Sequence, residues 1–161
     1  MSVDPNETTA AAEASEVLSA ADVMTPAART CSPFSTVTEA VLFFKEQNAD
    51  VVPVVDAGKP VGVVVDRDVA LAVPDVPDLA ERPVSELMVQ DFPIVPADAH
   101  VDQVLQTMSA AAARLALVVD AEGLLAGLIF WPALARRLAL DETAPPPRPV
   151  ATDQDGGAIQ P

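Results

Sequence analysis

The sequence is poor in the residues that staple small folds and build metal sites. Among 161 residues it has one cysteine, Cys31, and one histidine, His100. A lone cysteine cannot close an internal disulfide, and a lone histidine cannot anchor a His-based metal site, so a reducing, cytoplasmic setting is expected. Positive charge is also scarce. Nine Lys and Arg stand against 24 Asp and Glu, a net charge of -15. The head to Ser19 holds four of the acids (Asp4, Glu7, Glu13, Glu16) and the tail from Asp141 a net three negative charges, so the body keeps eight. A field of this sign repels phosphate backbones and anionic lipid, which argues against nucleic acid and membrane surfaces as partners.

Long hydrophobic runs are missing too. The longest uncharged stretch, 123–135, is closed by Glu122 and Arg136 and contains Pro132. It falls short of the roughly 20 residues that span a bilayer. No basic segment followed by an apolar one opens the chain, so no signal peptide is expected. There is no Ser/His/Asp or Cys/His set, no metal-ligand spacing, no Walker-type loop and no G-x-G-x-x-G after a strand. A self-contained enzyme is therefore not expected.

What is present is written twice. Val37, Ala40, Val41 and Phe44 recur 64 residues later as Val101, Val104, Leu105 and Met108, and Asp56 recurs as Asp120; the offset becomes 65 between Gly62 and Gly127. A duplication of this kind sets the architecture before any single residue is weighed. In each copy an i, i+3, i+4, i+7 apolar face predicts an amphipathic helix, and Thr36 with Glu39 resembles a capping box at the start of the first. Strands are predicted at 51–55 and 61–65, and again at 115–119 and 126–130, each pair joined by a small-residue turn. Short helices follow at 68–73 and 132–140, and a further strand is expected ahead of each long helix, around 29–32 and 92–95.

The expected fold class is α/β (α+β), a β-α-β-β-α unit used twice. Repeat 1 spans 20–76 and repeat 2 spans 84–140, with a Pro-rich linker at 77–83. The segments 1–19 and 141–161 are compositionally tails, too poor in apolar surface to offset the entropy of ordering. One three-stranded sheet with two helices leaves a face uncovered, so the two copies are expected to pack sheet to sheet about a pseudo-twofold axis, with a ligand-sized groove between related edges.

The segments ADVMTP (21–26) and SELM (85–88), the strands VVPVVD and LALVVD, and PVGVVVDRD (60–68) together resemble a tandem pair of CBS domains, the regulatory unit named after cystathionine β-synthase and also called a Bateman module. The resemblance covers about 21–140. It implies a stand-alone regulatory module that binds an adenine nucleotide (AMP, ADP or ATP) or S-adenosylmethionine in the inter-repeat cleft. It also implies a homodimer formed through helical surfaces and a separate, unidentified protein that is regulated. No cofactor is required for folding in this reading. The alternative is a degenerate pair that binds no nucleotide and serves as a dimerisation or protein-interaction module.

In nucleotide-binding CBS domains the pattern is Gly, two apolar residues, Thr or Ser, two residues, Asp. The Asp grips the ribose hydroxyls. Here Gly62 and Asp68 match, while Val65 stands at the hydroxyl position; in the second copy Gly127 is kept, but Phe130 and Ala133 replace both polar residues. The resemblance thus implies one usable ribose site, at Asp68, with Arg67 as a phosphate partner, Pro53 and neighbouring valines walling an adenine pocket, and Arg114 reaching a phosphate across the module. Each residue also has a structural reading. Asp66 and Asp68 suit the start of a helix regardless of ligand, Arg67 and Arg114 suit a solvated surface, and Pro53 suits an edge strand or bulge. Phe130 and Trp131 read as core or dimer contacts, Cys31 and His100 as structural, and the Ala and Leu content of 133–140 as a dimer surface.

Overall fold

The computed structural model describes residues 18–27 and 29–140. The segments 1–17 and 141–161, on which the tail expectations fall, lie outside them. Chain order is α1 (Ala20–Val23), β1 (Thr25–Pro26), α2 (Val37–Gln47), β2 (Val51–Asp56), β3 (Lys59–Val65), α3 (Asp66–Ala72), two 3-10 turns (Leu79–Glu81 and Val84–Glu86), β4 (Ile94–Pro96), α4 (Val101–Ala110), β5 (Leu115–Val119), β6 (Leu125–Phe130) and α5 (Trp131–Arg137).

The two long helices form on the predicted stripes. α2 starts where Thr36 Oγ1 accepts the Glu39 N–H at 3.2 Å. It ends at Asn48, whose left-handed φ of 49° turns its N–H back to the Phe44 and Lys45 carbonyls. α4 uses His100 as its N-cap, with Nδ1 accepting the Asp102 N–H at 3.1 Å. The lone histidine is thus a helix cap. Val37, Ala40 and Phe44 on α2, and Val101, Val104 and Met108 on α4, point into the interior.

Both hairpins are antiparallel and carry a bulge at equivalent places, Val54/Val55 and Val118/Val119. The first turns through Ala57 and Gly58, both at positive φ, the arrangement that matches strand twist in a two-residue loop. The strand expected at 92–95 forms as β4, parallel to β5. The strand expected at 29–32 shrinks to a single bridge from Cys31 to Val54. Pro53 gives the reason. In the second copy the Leu117 N–H donates to the Pro93 carbonyl at 2.9 Å. The corresponding bond in the first copy would run from residue 53 to residue 29, and proline has no N–H to give. The edge-strand reading of Pro53 agrees with this, since β2 is an outer strand of the two-stranded sheet β2-β3; Pro53 is nonetheless buried, pairs with Val63 on one side, and its carbonyl accepts the Cys31 N–H at 2.9 Å on the other.

The two repeats are laced together by exchange. β1, at the head of the first repeat, pairs with β6 of the second, giving the sheet order β1-β6-β5-β4. Reciprocally, Val89 at the head of the second repeat exchanges two backbone bonds with Val63 of β3, at 2.8 and 2.9 Å. The symmetry extends into the loops. Ala20 and Ala21 donate to the Ala99 and Ala97 carbonyls as Val84 and Ser85 donate to those of Ser35 and Pro33. The recurrence of Gly62 as Gly127 has a packing cause. A Cβ on Gly62 would lie 2.7 Å from Met88 Sδ, and one on Gly127 would lie 2.6 Å from Met24 Sδ and 2.7 Å from the Thr25 oxygen. Each glycine lets the other repeat's leading strand approach.

Three apolar clusters follow from this plan. One holds α4, α5 and the second sheet, with Ala20 of α1 inside it and Leu18, Val23 and Met24 packed against it. The second is built on α2, β2 and β3 and takes in Val84 from the other repeat's head. The third, Val63 with Leu117 and Leu128, joins the two sheets face to face and is flanked by Val65 and Phe130. The two repeats do pack sheet to sheet, with the leading strand of the first reduced to a bridge. Cys31 is buried, and burial pushes its thiol up to about 11. The segment 133–140 divides: Leu134 and Ala135 are fully buried beside Trp131, because the helix turns that face onto its own repeat's core, while Ala139 and Leu140 are exposed.

Candidate ligand-binding site

The residues that could receive a ligand gather where each hairpin runs into its short helix. At the first junction β3 ends in Val65 and α3 begins at Asp66. Val65 is the N-cap of α3 but supplies no side-chain cap bond, and Asp66 and Asp68 lie in the first turn. Negative side chains there are favoured by the helix dipole. The helix begins two residues earlier than its sequence pattern predicts, so Asp68 sits at the third helical position rather than the first. Arg67 is exposed between the two carboxylates, and Asp68 is half-buried.

The second junction repeats this backbone with other side chains. The Trp131 N–H donates to the Arg114 carbonyl at 2.9 Å, as the Asp66 N–H donates to the Asp50 carbonyl at 3.0 Å. Asp50 and Arg114 therefore occupy equivalent places with opposite charge. One junction carries Asp50, Asp66, Arg67 and Asp68; the other carries Arg114, Phe130, Trp131 and Ala133. Phe130 is half-buried against the cluster between the sheets and Trp131 is in the core, which agrees with their reading as packing residues.

Of the six candidate residues, the fold brings Val65, Arg67 and Asp68 together. Pro53 and Gly62 lie in the strands behind them. Pro53 is buried, and the space beside Gly62 is taken by Met88 and Val89. Arg114 stands at the start of β5 in the other repeat. Asp50 was not singled out from the sequence. Its signal was the 64-residue offset from Arg114, which marks the two as counterparts. Neither of two sizeable cavities lined by described residues includes any of the six. A groove of about 360 Å³ lies on repeat 1, between α2, α3 and the linker, and one of about 480 Å³ lies between the approach to β4 and α4. Among the described residues no cluster of three or more His, Cys, Asp and Glu is placed to hold a metal ion, and no helix is long and apolar enough to cross a membrane.

Comparison with known proteins decides the family. The CBS domain model matches residues 20–75 and again 84–138. The chain belongs to the CBS domain family. The CBS pair is 30% identical over 123 residues to the CBS domain-containing protein YhcV of Bacillus subtilis, across 76% of this chain and 87% of that protein. Among solved structures, a CBS domain-containing protein from Bacillus anthracis matches with a TM-score of 0.71 over 80% of this chain and 97% of that one; at 16% identity it speaks for the fold. CBSX2, solved in complex with AMP, is 26% identical with a TM-score of 0.63, over 75% of this chain and 96% of that one.

Proposed function

We propose that this CBS pair is a stand-alone regulatory module that binds one adenine nucleotide or adenosyl compound in the inter-repeat cleft and signals to a separate protein. The observation that carries the reading is the opposite polarity of the two junctions. A carboxylate at Asp68 suits a vicinal diol, since it accepts two charge-assisted hydrogen bonds at once, and Arg114 suits a phosphate. Val65 and Phe130 supply an apolar floor between them. The AMP complex of CBSX2 is consistent with a ligand of this class. A cytoplasmic setting, a regulatory rather than catalytic role and a homodimer formed through helical faces belong to the same reading. The groove on repeat 1, rimmed by exposed Val41 and Val73, favours the dimer.

Thermal melting in the presence of AMP, ADP, ATP and S-adenosylmethionine tests it, with Asp68→Ala alongside. A ligand at 100 times its dissociation constant stabilises by about 2.7 kcal/mol, enough to raise the melting temperature by a few degrees. At least one compound is expected to produce that rise in the native chain and not in Asp68→Ala. No rise with any of the four removes the sensor reading and leaves a dimerisation or interaction module. An unchanged rise in the variant removes Asp68 from the site.

A further inference from the structure

The 480 Å³ cavity of the second repeat is informative because the first repeat shows what fills the same place. In repeat 1, Arg29 lies over the Phe43 ring at 4.6 Å and reaches Glu46 Oε1 at 2.6 Å. Cys31 and Val95 bridge to Val54 and Val118 at the common offset of 64, and the helix stripes share it. The counterparts of Arg29, Phe43 and Glu46 are therefore Pro93, Thr107 and Ala110, and all three line the cavity. Repeat 2 has small side chains where repeat 1 has large, interacting ones, and a hollow stands where repeat 1 holds a guanidinium.

The hollow is not a plain apolar gap. Asp91 and Phe92 line its β4 side and Gln106 its α4 side; at the 64-residue offset the sequence has alanine in place of Asp91 and Phe92. In repeat 1 the guanidinium comes from the loop, and the ring and carboxylate come from the helix. In repeat 2 the ring and carboxylate are on the loop, the helix wall is trimmed, and the cation is the missing member of the set. A planar guanidinium matches such a site better than an ammonium, since it stacks on a ring face while its fork of N–H donors meets a carboxylate.

We infer that this cavity receives an arginine side chain presented by a partner protein, seated between Phe92 and the Thr107–Ala110 face of α4 with Asp91 as its counter-ion. A strongly acidic chain draws a basic partner segment toward itself. The inference does not depend on nucleotide binding.

The test is titration of the ¹⁵N-labelled full chain with N-acetyl-arginine amide, and in parallel with N-acetyl-lysine amide and AMP. Saturable amide shifts confined to Asp91, Phe92, Thr107, Ala110 and Ala111 are expected with the arginine compound, with lysine amide weaker by about threefold or more. Refilling the cavity as in repeat 1, with Pro93→Arg, Thr107→Phe and Ala110→Glu together, is expected to abolish them. Asp91→Asn alone, a change at an exposed position, is expected to weaken arginine by about two- to fivefold. Absent shifts, equal binding of lysine, an unaffected Asp91→Asn variant, or perturbation of these amides by AMP in place of arginine would each overturn the inference.

Discussion

Val65 sits at the N-cap of α3, where a hydroxyl would accept a backbone N–H of the first turn and a valine cannot. The same position is the one at which nucleotide-binding relatives of the pattern carry Thr or Ser, so one substitution weakens the helix start and the candidate ribose site together. Val65→Thr is expected to raise stability by about 0.5–1 kcal/mol, read as a higher urea midpoint at unchanged m-value. Calorimetry on the same variant is expected to show tighter binding of whichever adenosyl ligand shifts the native chain. The departure at Val65 was legible in the sequence; its role as a helix cap was not. Asp66, Arg67 and Asp68 carry no apolar periodicity to mark where α3 begins, and the predicted start fell two residues late. Asp50 was hidden for a different reason: it belongs to no motif, and its place became meaningful once its carbonyl was seen to hold α3 as that of Arg114 holds α5.

The helices and hairpins follow from short-range patterns, since the stripe of α2 and α4 and the β-branched runs of β2 and β5 depend on residues within a few positions of one another. The loss of the strand at 29–32 does not. Its cause is Pro53, more than 20 positions away, and a ladder bond that proline cannot make. The leading strands β1 and the Val89 segment raise a comparable long-range constraint at the two glycines. Gly127→Ala would press a Cβ onto the Thr25 oxygen at 2.7 Å, a backbone atom with little freedom to move, whereas Gly62→Ala meets the flexible Met88 side chain first and the Val89 oxygen at 3.1 Å. Both are expected to destabilise within the range of about 1–3 kcal/mol for overpacking, with Gly127→Ala the more costly. Paired denaturation curves measure the difference, and the reverse order would contradict the packing role given to Thr25.

At the scale of the molecule, the duplication predicts two like halves meeting through their sheets, because neither half covers its own apolar face. It does not predict that each half is completed by the other's head. An offset between similar residues says that two segments are alike and is silent about which partner each of them takes. The exchange makes α1 part of the second repeat's interior, where Ala20 and Trp131 share a cluster. Deletion of residues 1–26 is therefore expected to loosen repeat 2, remote in sequence, before it disturbs α2. The single tryptophan reports this directly: Trp131 emission is expected to shift to the red and its quenching by acrylamide to rise. An unchanged spectrum would mean that the second core closes without α1. The exchange also bears on how the chain is born. The residues of α1, at 20–23, are made about 100 residues before the strand and helix they dock against, β6 and α5. At roughly 5–20 residues per second, a segment with a buried destination waits on the order of ten seconds for it to exist.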